Sequence, residues 1–436
     1  MNPFPVLFSM FHKQRLTLAL FTVLVAFAVA LGVAVTSQER ALRQGSARAA
    51  DKFELLVGAP GSQYDLVLSS VYLRLSSMEL LSPDVFADLL AEPDIDWAAP
   101  IAFGDSAGGF PVIGSITQFI THLSGELAEG SLFDAEGEAV IGADVPYRIG
   151  ESFRTLHGAP GAESEVHEHE IAVVGRMMPT GTPWDRAIIV PVETMWEQHG
   201  LPNGHLDTDE DEHDHAEDAD GQFDAHGEDG HDEDNDPEEV GHDHEHAGPI
   251  GPPFDAEALP GVPAVVVKAR DLAAAYGLRN TYRTSESQAL FPAEILVQLY
   301  ALMGDARGIV QWLAMATQVL VVAAVLSGLV VIQQLHTTRL AILRALGASR
   351  AYVFVTVWLY FTLLIAGGAV LGLLLGYGAA LLVSAYVSEL AGFTLTAILG
   401  PQEFGLVGGL LLIGALLALV PAIALFRRPV VDALRQ

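Results

Sequence analysis

The chain has 436 residues, 51% of them hydrophobic and 17% charged, with 22 Lys and Arg against 54 Asp and Glu and a formal net charge of −32. So few basic residues exclude a nucleic-acid-binding protein, because binding to phosphates needs a positive surface. The apolar residues are concentrated towards the two ends and the acidic residues in the middle, which excludes a single soluble globular domain. The absence of cysteine excludes disulfides, thiolate zinc sites and cysteine nucleophiles.

Four apolar stretches without Asp, Glu, Lys or Arg are long enough to cross a bilayer as helices. They are residues 16–36, 309–332, 352–377 and 404–426, which we denote the first to fourth predicted spans. The first is longer than the roughly 7–15 apolar residues of a signal peptide, so we expect a retained anchor. The third lies in an uncharged run, residues 351–388, which could hold one long span or two.

The distribution of positive charge decides the orientation. With four spans, the cytoplasmic side carries eight Lys and Arg residues and a single Asp: Lys13, Arg15, Arg339, Arg344, Arg350, Arg427, Arg428, Arg435 and Asp432. A fifth span would put Arg427 and Arg428 outside, against the positive-inside rule. We therefore predict an α-helical membrane protein of four spans, arranged one plus three. Residues 1–15 and the C terminus lie in the cytoplasm, residues 37–306 lie outside, and residues 307–436 form a C-terminal domain that contains the last three spans.

Small residues recur four positions apart in the last two spans. Gly368, Gly372 and Gly376 lie in the third span, and Gly405 and Gly409 in the fourth. Such spacing lets the backbones of two helices approach closely in lipid. We favour packing within this subunit, with the interface of a homodimer as the alternative.

Residues 37–202 and 250–306 carry the strand and helix patterns of a folded domain. The predicted strands are residues 53–57, 95–103, 139–141, 171–174, 187–192 and 262–268. The predicted helices are residues 64–75, 83–91, 193–199 and 269–276, and residues 292–307 are predicted to form a helical stalk leading into the second span. This mixture predicts a large extracytoplasmic domain of α+β or α/β class, for which we adopt α+β.

A segment of unusual composition interrupts this domain. Residues 205–246 contain 20 Asp and Glu, 8 His and hardly any large apolar residue. Such a segment cannot bury enough apolar surface to offset the entropy of ordering it. We therefore predict that residues 203–250 form a disordered insertion that contributes little to the fold.

Histidine makes this insertion a candidate zinc-binding segment. Imidazole and carboxylate ligands suit zinc, and a flexible chain can wrap several of them around one ion. The candidate ligands are His213, His215, His226, His231, His242, His244 and His246. The alternative is a solvated acidic linker that happens to contain histidine. No other cofactor is expected, and bound metal is expected to act outside the membrane, because the predicted spans contain no charged residue or histidine.

A smaller candidate pair of metal ligands is His167 and His169, which lie two residues apart on a predicted strand and therefore on one face. For this pair we favour a plain solvent-facing strand.

Enzyme signatures are weak or absent. The phosphate-binding pattern G-x-x-x-x-G-K-[ST] and the zinc-protease pattern H-E-x-x-H are both missing. Residues 104–108 match G-x-S-x-G, with Ser106 at the nucleophile position, but a glycine-rich turn explains this match without chemistry. We therefore expect no enzymatic activity in this chain.

Residues 336–350 read HTTRLAILRALGASR. This sequence resembles the coupling segment that precedes the third span in the FtsX/MacB-like permease family of ABC transporters. Residues 56–62 (LVGAPGS) and 179–186 (PTGTPWDR), followed by Trp196 and Glu197, resemble segments of that family's periplasmic core. Leu340 departs from the family, which usually has Glu there, so an ion pair through that position is not carried over.

The resemblance implies a permease subunit in a bacterial inner (cytoplasmic) membrane, acting as a homodimer or heterodimer with separate cytoplasmic ATPase subunits. Residues 37–306 would be its MacB-like periplasmic core domain and residues 307–436 its FtsX-like permease domain, with the coupling loop at residues 333–351. ATP hydrolysis would then move rigid helices that do work in the periplasm. The residues it assigns to ATPase coupling are Arg339, Leu343, Arg344, Leu346 and Gly347. One alternative function is a zinc-responsive membrane regulator that controls a periplasmic partner without transport. Another is a membrane-anchored hydrolase that uses Ser106. The sequence does not indicate the substrate.

Overall fold

The computed structural model describes residues 4–13, 15–74, 76–158, 166–206, 248–302, 342–391, 394–420 and 422–423, with seven further positions between 312 and 328. Most of the second predicted span lies outside the described residues, and so do Arg339 and the seven candidate zinc ligands of the insertion. Predictions that concern these parts of the chain stay predictions.

Helices and strands alternate along the described domain, and long helices lie before and after it. In chain order the elements are α1 (Phe4–Lys13), α2 (Arg15–Ala50), β1 (Leu55–Gly58), α3 (Gln63–Tyr72), α4 (Pro83–Leu90), β2 (Ile95–Ala107), β3 (Phe110–Ser115), α5 (Thr117–Ser124), β4 (Leu127–Gly130), β5 (Glu138–Ile141), β6 (Ser152–His157), β7 (Val166–Met177), a 3-10 helix (Pro183–Arg186), β8 (Ile188–Pro191), α6 (Val192–Gln198), β9 (Ala264–Ala269), α7 (Leu272–Thr281), β10 (Gln288–Leu290), α8 (Pro292–Leu302), α9 (Arg350–Ala391) and α10 (Pro401–Leu417). Every predicted strand and helix of the domain overlaps one of these elements.

The strands form one mixed sheet. Its order is β10-β1-β9-β2-β3-β8-β5-β7-β4, and β6 pairs with both β2 and β7. Val265 and Val267 of β9 enter one apolar core together with Phe86 of α4, whereas Val266 enters the other core together with Phe119 of α5. Helices therefore cover both faces of the sheet, and its strand pairings are antiparallel except for β3 with β8 and β5 with β7. The prediction of a large domain of mixed strands and helices is confirmed, and this domain combines features of both classes that the sequence left open, the antiparallel pairing of α+β and the two covered faces of α/β.

Two described helices are long and apolar enough to cross a membrane, namely α2 and the part of α9 from Arg350 to Ser388. The helix α10 is also apolar but has only 17 residues. The uncharged run 351–388 belongs to a single continuous helix, so the first of its two alternatives, one long span, is the one that the structure supports. The count of four spans stays a prediction, because the described residues omit most of the second.

The helix α2 runs without interruption from the first predicted span into the domain. It continues to residue 50, about 20 Å beyond the end of that span at a rise of about 1.5 Å per residue. Its last residues, Ala49 and Ala50, are buried in the same apolar core as Phe53 and Phe119. The domain is therefore joined to the span by rigid helix and not by a flexible loop.

Candidate functional site

Glycines of α9 form the contact between α9 and α2. A Cβ atom built on Gly372 would lie 2.5 Å from the carbonyl oxygen of Ala26, and one built on Gly376 would lie 2.6 Å from that of Ala30. Real Cβ atoms do not approach backbone so closely, so only glycine lets these two helices pack at this distance. Gly368 lies in the same contact. The favoured interpretation of these three glycines, packing within the subunit, is therefore confirmed.

The glycines of the fourth predicted span behave differently. No described atom lies within 4 Å of a Cβ built on Gly405 or on Gly409. Their role in packing stays a prediction.

Beyond the predicted spans, Arg40 of α2 holds the start of α10. Its guanidinium forms an ion pair with Glu403 at 2.7 Å and donates a hydrogen bond to the carbonyl oxygen of Ile398 at 3.0 Å. The fully buried Glu403 also accepts hydrogen bonds from the Ser37 hydroxyl at 3.2 Å and from the Gly400 N–H at 2.8 Å. The buried charge is thus compensated on several sides, and the start of α10 is fixed on α2.

Further along α2, Arg48 holds the linker between α9 and α10. Its guanidinium donates to the carbonyl oxygen of Thr394 at 3.4 Å and to the Thr396 hydroxyl at 3.1 Å. The N–H of Thr394 donates to the carbonyl oxygen of Gly181 at 3.3 Å, in the domain loop that follows β7. Asp185 stabilises this loop, because its carboxylate accepts the Gly181 N–H at 2.7 Å. The linker therefore connects the membrane helices to a stabilised loop of the domain.

The predicted ATPase-coupling segment contains a helix end. Residues 342–345 are helical, and Gly347 follows with a φ of +101°, a conformation that favours glycine. The N–H of Gly347 donates to the carbonyl oxygen of Arg344 at 3.1 Å, and that of Ala348 to the carbonyl oxygen of Leu343 at 3.0 Å. This hydrogen-bond pattern is a common helix end in proteins.

The next helix begins immediately after this turn. The Ser349 hydroxyl accepts the N–H of Tyr352 at 3.2 Å, as an N-cap does, and α9 starts at Arg350. Leu346, in the turn, is 80% exposed, and the nearby Ile342 is also exposed. In the coupling segment, residues 346–349 (LGAS) therefore provide an exposed apolar side chain, the end of one helix and the start of the next.

The structure also brings one carboxylate and three imidazoles together on the domain. The Oδ1 atom of Asp105 lies 3.4 Å from Nδ1 of His157 and 3.4 Å from Nε2 of His199, and its Oδ2 atom lies 3.4 Å from Nε2 of His167. His157 Nδ1 and His199 Nε2 are 3.2 Å apart. We call these four residues the histidine cluster. Within the described ranges it is the only group of three or more potential metal ligands whose ligand atoms all lie within 4.8 Å of one another.

Sheet register positions these side chains. Asp105 of β2 and His157 of β6 are paired across the two strands, so their side chains share one face. His167 lies near the start of β7, which also pairs with β6. His199 directly follows α6, and the neighbouring Asp105 carboxylate raises the pKa of its imidazole. Four separate elements thus supply one residue each.

The structure corrects the interpretation of His167 and His169. His167 is partly buried and belongs to the histidine cluster, so a plain solvent-facing strand is the wrong description for it. His169 is exposed and lies outside the cluster. The sequence analysis missed Asp105, His157 and His199. One signal was present, since Asp105 closely follows the apolar run of residues 97–103 within β2.

The G-x-S-x-G match has no nucleophile geometry. Ser106 is 3% exposed and lies inside the strand β2, where it pairs with Pro111 of β3. In hydrolases the serine of this motif is exposed on a sharp turn between a strand and a helix. This placement gives no support to a hydrolase that uses Ser106.

The predicted bounds of the insertion, residues 203–250, include residues at both ends that belong to the described fold. His205 is buried, with its Nε2 atom 3.5 Å from Oε1 of Glu193 and its ring 5.6 Å from that of Phe254. The Leu206 N–H donates to the Asp255 carboxylate at 2.9 Å. Residues 203–206 and 248–250 therefore belong to the described fold, and His205 contributes to it because its ring replaces solvent around a buried carboxylate.

Comparisons with known proteins give only distant similarities. No family model matches the sequence, and no curated protein matches it. The periplasmic region of MacB from Actinobacillus actinomycetemcomitans aligns with a TM-score of 0.31 at 10% identity, over 58% of this chain and 95% of that one. The extracellular domain of YknZ, a noncanonic ABC-type transporter from Gram-positive bacteria, aligns with a TM-score of 0.26 at 9% identity, over 54% of this chain and 98% of that one. Similarities at this level do not establish a family.

Proposed function

We propose that this chain is the permease subunit of an ABC transporter, which couples ATP hydrolysis by a separate cytoplasmic ATPase to movement of its extracytoplasmic domain. One observation carries the proposal. The helix α9 starts at the turn of the coupling segment and packs backbone to backbone along α2, which ends inside the core of the domain. A displacement of the turn therefore reaches the domain through two rigid helices.

The exposed turn is the proposed docking point for the ATPase. Leu346 and Ile342 present apolar side chains to solvent next to the rigid end at Gly347. Exposed apolar side chains of this kind are typical of contact surfaces for a partner protein. We propose that this end of the molecule and the N-terminal segment face the cytoplasm of a bacterial inner membrane, and that the permease works as a dimer.

The outer ends of the helices transmit the movement. Arg40 and Arg48 of α2 hold the linker that follows α9, and the linker is hydrogen-bonded to the Gly181 loop of the domain. The domain is thus held both by the end of α2 and by this linker. Movement of α9 relative to α2 would change the angle of the domain, which is work done outside the membrane without a substrate path through the bilayer.

The second candidate function is a zinc-responsive membrane regulator without transport. The observation that favours it is the histidine cluster, which offers three imidazoles and a carboxylate on the same domain. Zinc on the insertion, at the seven predicted histidines, would serve either function.

Co-purification tests the proposed function. Leu346→Glu and Arg344→Glu in the full chain should abolish capture of the cognate ATPase and lower its turnover, while membrane insertion persists. The matched control is Leu80→Glu, because Leu80 is also an exposed leucine but lies in the extracytoplasmic domain. It should leave capture unchanged. Unaltered capture and turnover in both coupling variants, or an equal loss in the control, would reject the coupling role and favour the regulator.

A further inference from the structure

The fold alone does not explain how the buried carboxylate of Asp105 is compensated. Its carboxylate is fully buried, and neither oxygen has a hydrogen-bond partner within the described part of the chain. A buried ionised carboxylate is costly unless hydrogen bonds or a cation compensate it. Three imidazole nitrogens lie 3.4 Å from these oxygens, beyond the usual 2.7–3.2 Å of an N–H···O hydrogen bond. The buried His167 Nε2 atom also lacks a hydrogen-bond partner among the described residues.

The spacing of these atoms matches the coordination shell of a small ion. Zinc binds nitrogen and oxygen ligands at about 2.0–2.2 Å in a tetrahedron, whose edges are then about 3.3–3.6 Å long. Asp105 Oδ1, His157 Nδ1 and His199 Nε2 are separated by 3.4, 3.4 and 3.2 Å, which are the edges of one tetrahedral face. His167 offers the fourth ligand, since a ligand atom of each of the four residues lies within 4.8 Å of the others.

We propose that Asp105, His157, His167 and His199 bind one transition-metal ion, and that Zn²⁺ fits them best. Three imidazoles and one carboxylate are a donor set typical of zinc, whereas magnesium and calcium prefer oxygen ligands only. Copper and nickel also accept imidazole but favour a square-planar arrangement, which the tetrahedral edges do not offer.

The surroundings of two imidazoles, those of His199 and His157, favour metal binding. Nδ1 of His199 lies 2.7 Å from the carbonyl oxygen of Met195, so Nδ1 carries the proton and the lone pair of Nε2 faces the cluster. His157 is the most accessible member, with its side chain 59% exposed, and gives an ion a way in from solvent. The ligands come from β2, β6, β7 and the end of α6, so bound metal would join these four elements.

This site is distinct from the seven histidines predicted for the insertion and does not depend on the ABC-transporter proposal. It joins structured elements, and metal bound only by the folded state stabilises that state. The expected signature is therefore a zinc-dependent rise in the unfolding temperature, together with a stoichiometry of one ion per chain.

The test uses the full-length protein with the seven candidate ligand histidines of the insertion replaced by Asn, so that these histidines no longer compete with the histidine cluster for zinc. Titration calorimetry with ZnCl₂ should give one tight site, which persists in excess CaCl₂. Co²⁺ in place of zinc should give the intense visible absorption of tetrahedral coordination. His199→Gln and Asp105→Asn should each weaken zinc binding by at least about 100-fold, beyond the loss seen for an outer-shell partner.

His169→Gln is the matched control, because His169 lies on the same strand as His167 but is exposed and outside the cluster. It should leave zinc binding unchanged. Melting curves without metal show whether each variant is folded, and the zinc-induced shift should be lost only in the cluster variants. Absence of a tight zinc site in the parent, or equal zinc affinity after His199→Gln, would overturn the proposal. Octahedral Co²⁺ absorption would overturn the tetrahedral assignment.

Discussion

The partly buried Arg40 and the fully buried Glu403 form an ion pair at 2.7 Å that ties the outer part of α2 to the first turn of α10. Removing one partner of a buried pair leaves the other charge uncompensated and costs about 3–5 kcal/mol. We therefore expect Glu403→Gln to lower the free energy of unfolding in detergent by about 3 kcal/mol. The variant should also release the linker, measured as faster backbone hydrogen exchange at Thr394 and Thr396.

An exposed ion pair is the control for this prediction. Arg154 and Glu170 lie 3.2 Å apart with both side chains more than half exposed, and such pairs contribute little because solvent screens them. Glu170→Gln should leave the unfolding temperature and the linker exchange close to those of the parent. Equal destabilisation by the two substitutions would show that Glu403 has no special role in the connection.

The glycine contact between α9 and α2 predicts different effects on stability for alanine substitutions at two glycines of α9. Gly372→Ala should destabilise the protein, because the added Cβ would lie 2.5 Å from the Ala26 carbonyl oxygen and the helices would have to separate. Gly367→Ala should be neutral or stabilising by up to about 1 kcal/mol, since no described atom lies within 4 Å of its Cβ and alanine is the better helix former. Thermal unfolding in detergent measures the stability of both variants. If Gly367→Ala lowered the unfolding temperature and Gly372→Ala did not, the contact between Gly372 and Ala26 would be contradicted.

Much of the domain could be predicted from apolar periodicity. The buried strands β1, β8 and β9 are short runs of Leu, Ile and Val, which the sequence shows directly. The helix end at Gly347 and the N-cap at Ser349 are equally local, because each depends on a residue type with a specific backbone role. The choice between α+β and α/β stayed open because a sequence does not show which strands pair in parallel or on which face of a sheet each helix packs.

The histidine cluster could not be predicted in the same way. Asp105 and His157 become neighbours only through the pairing of β2 with β6, and His199 joins them from the end of a helix. Pairing of this kind depends on tertiary packing, and the spacing of these residues along the chain follows no motif. The closely spaced histidines of the insertion form a stronger sequence pattern than His157 and His199, which are isolated along the chain.

Glu136 should make the stability of the domain depend on pH. Burial and, to a smaller extent, the nearby carboxylates of Glu197 and Glu193 together raise the pKa of Glu136 to about 8. The folded state therefore keeps this proton in a range where the unfolded chain, with an ordinary value of 4.5, has lost it. Its contribution to stability is fully present below about pH 4.5 and is lost as the pH rises to about 8.

Glu136→Gln removes the titrating group while keeping its shape. Between about pH 5.5 and pH 8.5, the free energy of unfolding of the variant should fall less than that of the parent, by an amount on the order of 1 kcal/mol, because partial exposure reduces the full effect. The exposed Glu257→Gln serves as control and should keep the pH profile of the parent. Identical profiles for all three proteins would contradict the raised pKa of Glu136.

Asp185 should be required for the loop that receives the linker. It is 4% exposed, and its carboxylate accepts the N–H and the hydroxyl of Thr180 and the N–H of Gly181, each at 2.7 Å. Burial raises the pKa of Asp185, although the hydrogen bonds from Thr180 and Gly181 oppose this. Asp185→Ala leaves two backbone donors without an acceptor, and each such loss costs about 1–3 kcal/mol. We expect a total loss of about 3 kcal/mol.

Asp185→Asn separates the hydrogen bonds from the volume of the side chain. Its amide oxygen can still accept one or two of the three bonds, so the variant should lose less stability than Asp185→Ala. Because Gly181 accepts the Thr394 N–H, disorder of this loop should also break the connection to the linker. Hydrogen exchange at Thr394 should therefore rise in the order parent, Asp185→Asn, Asp185→Ala. Unchanged exchange at Thr394 in a destabilised Asp185→Ala protein would show that the loop stabilises the domain without holding the linker.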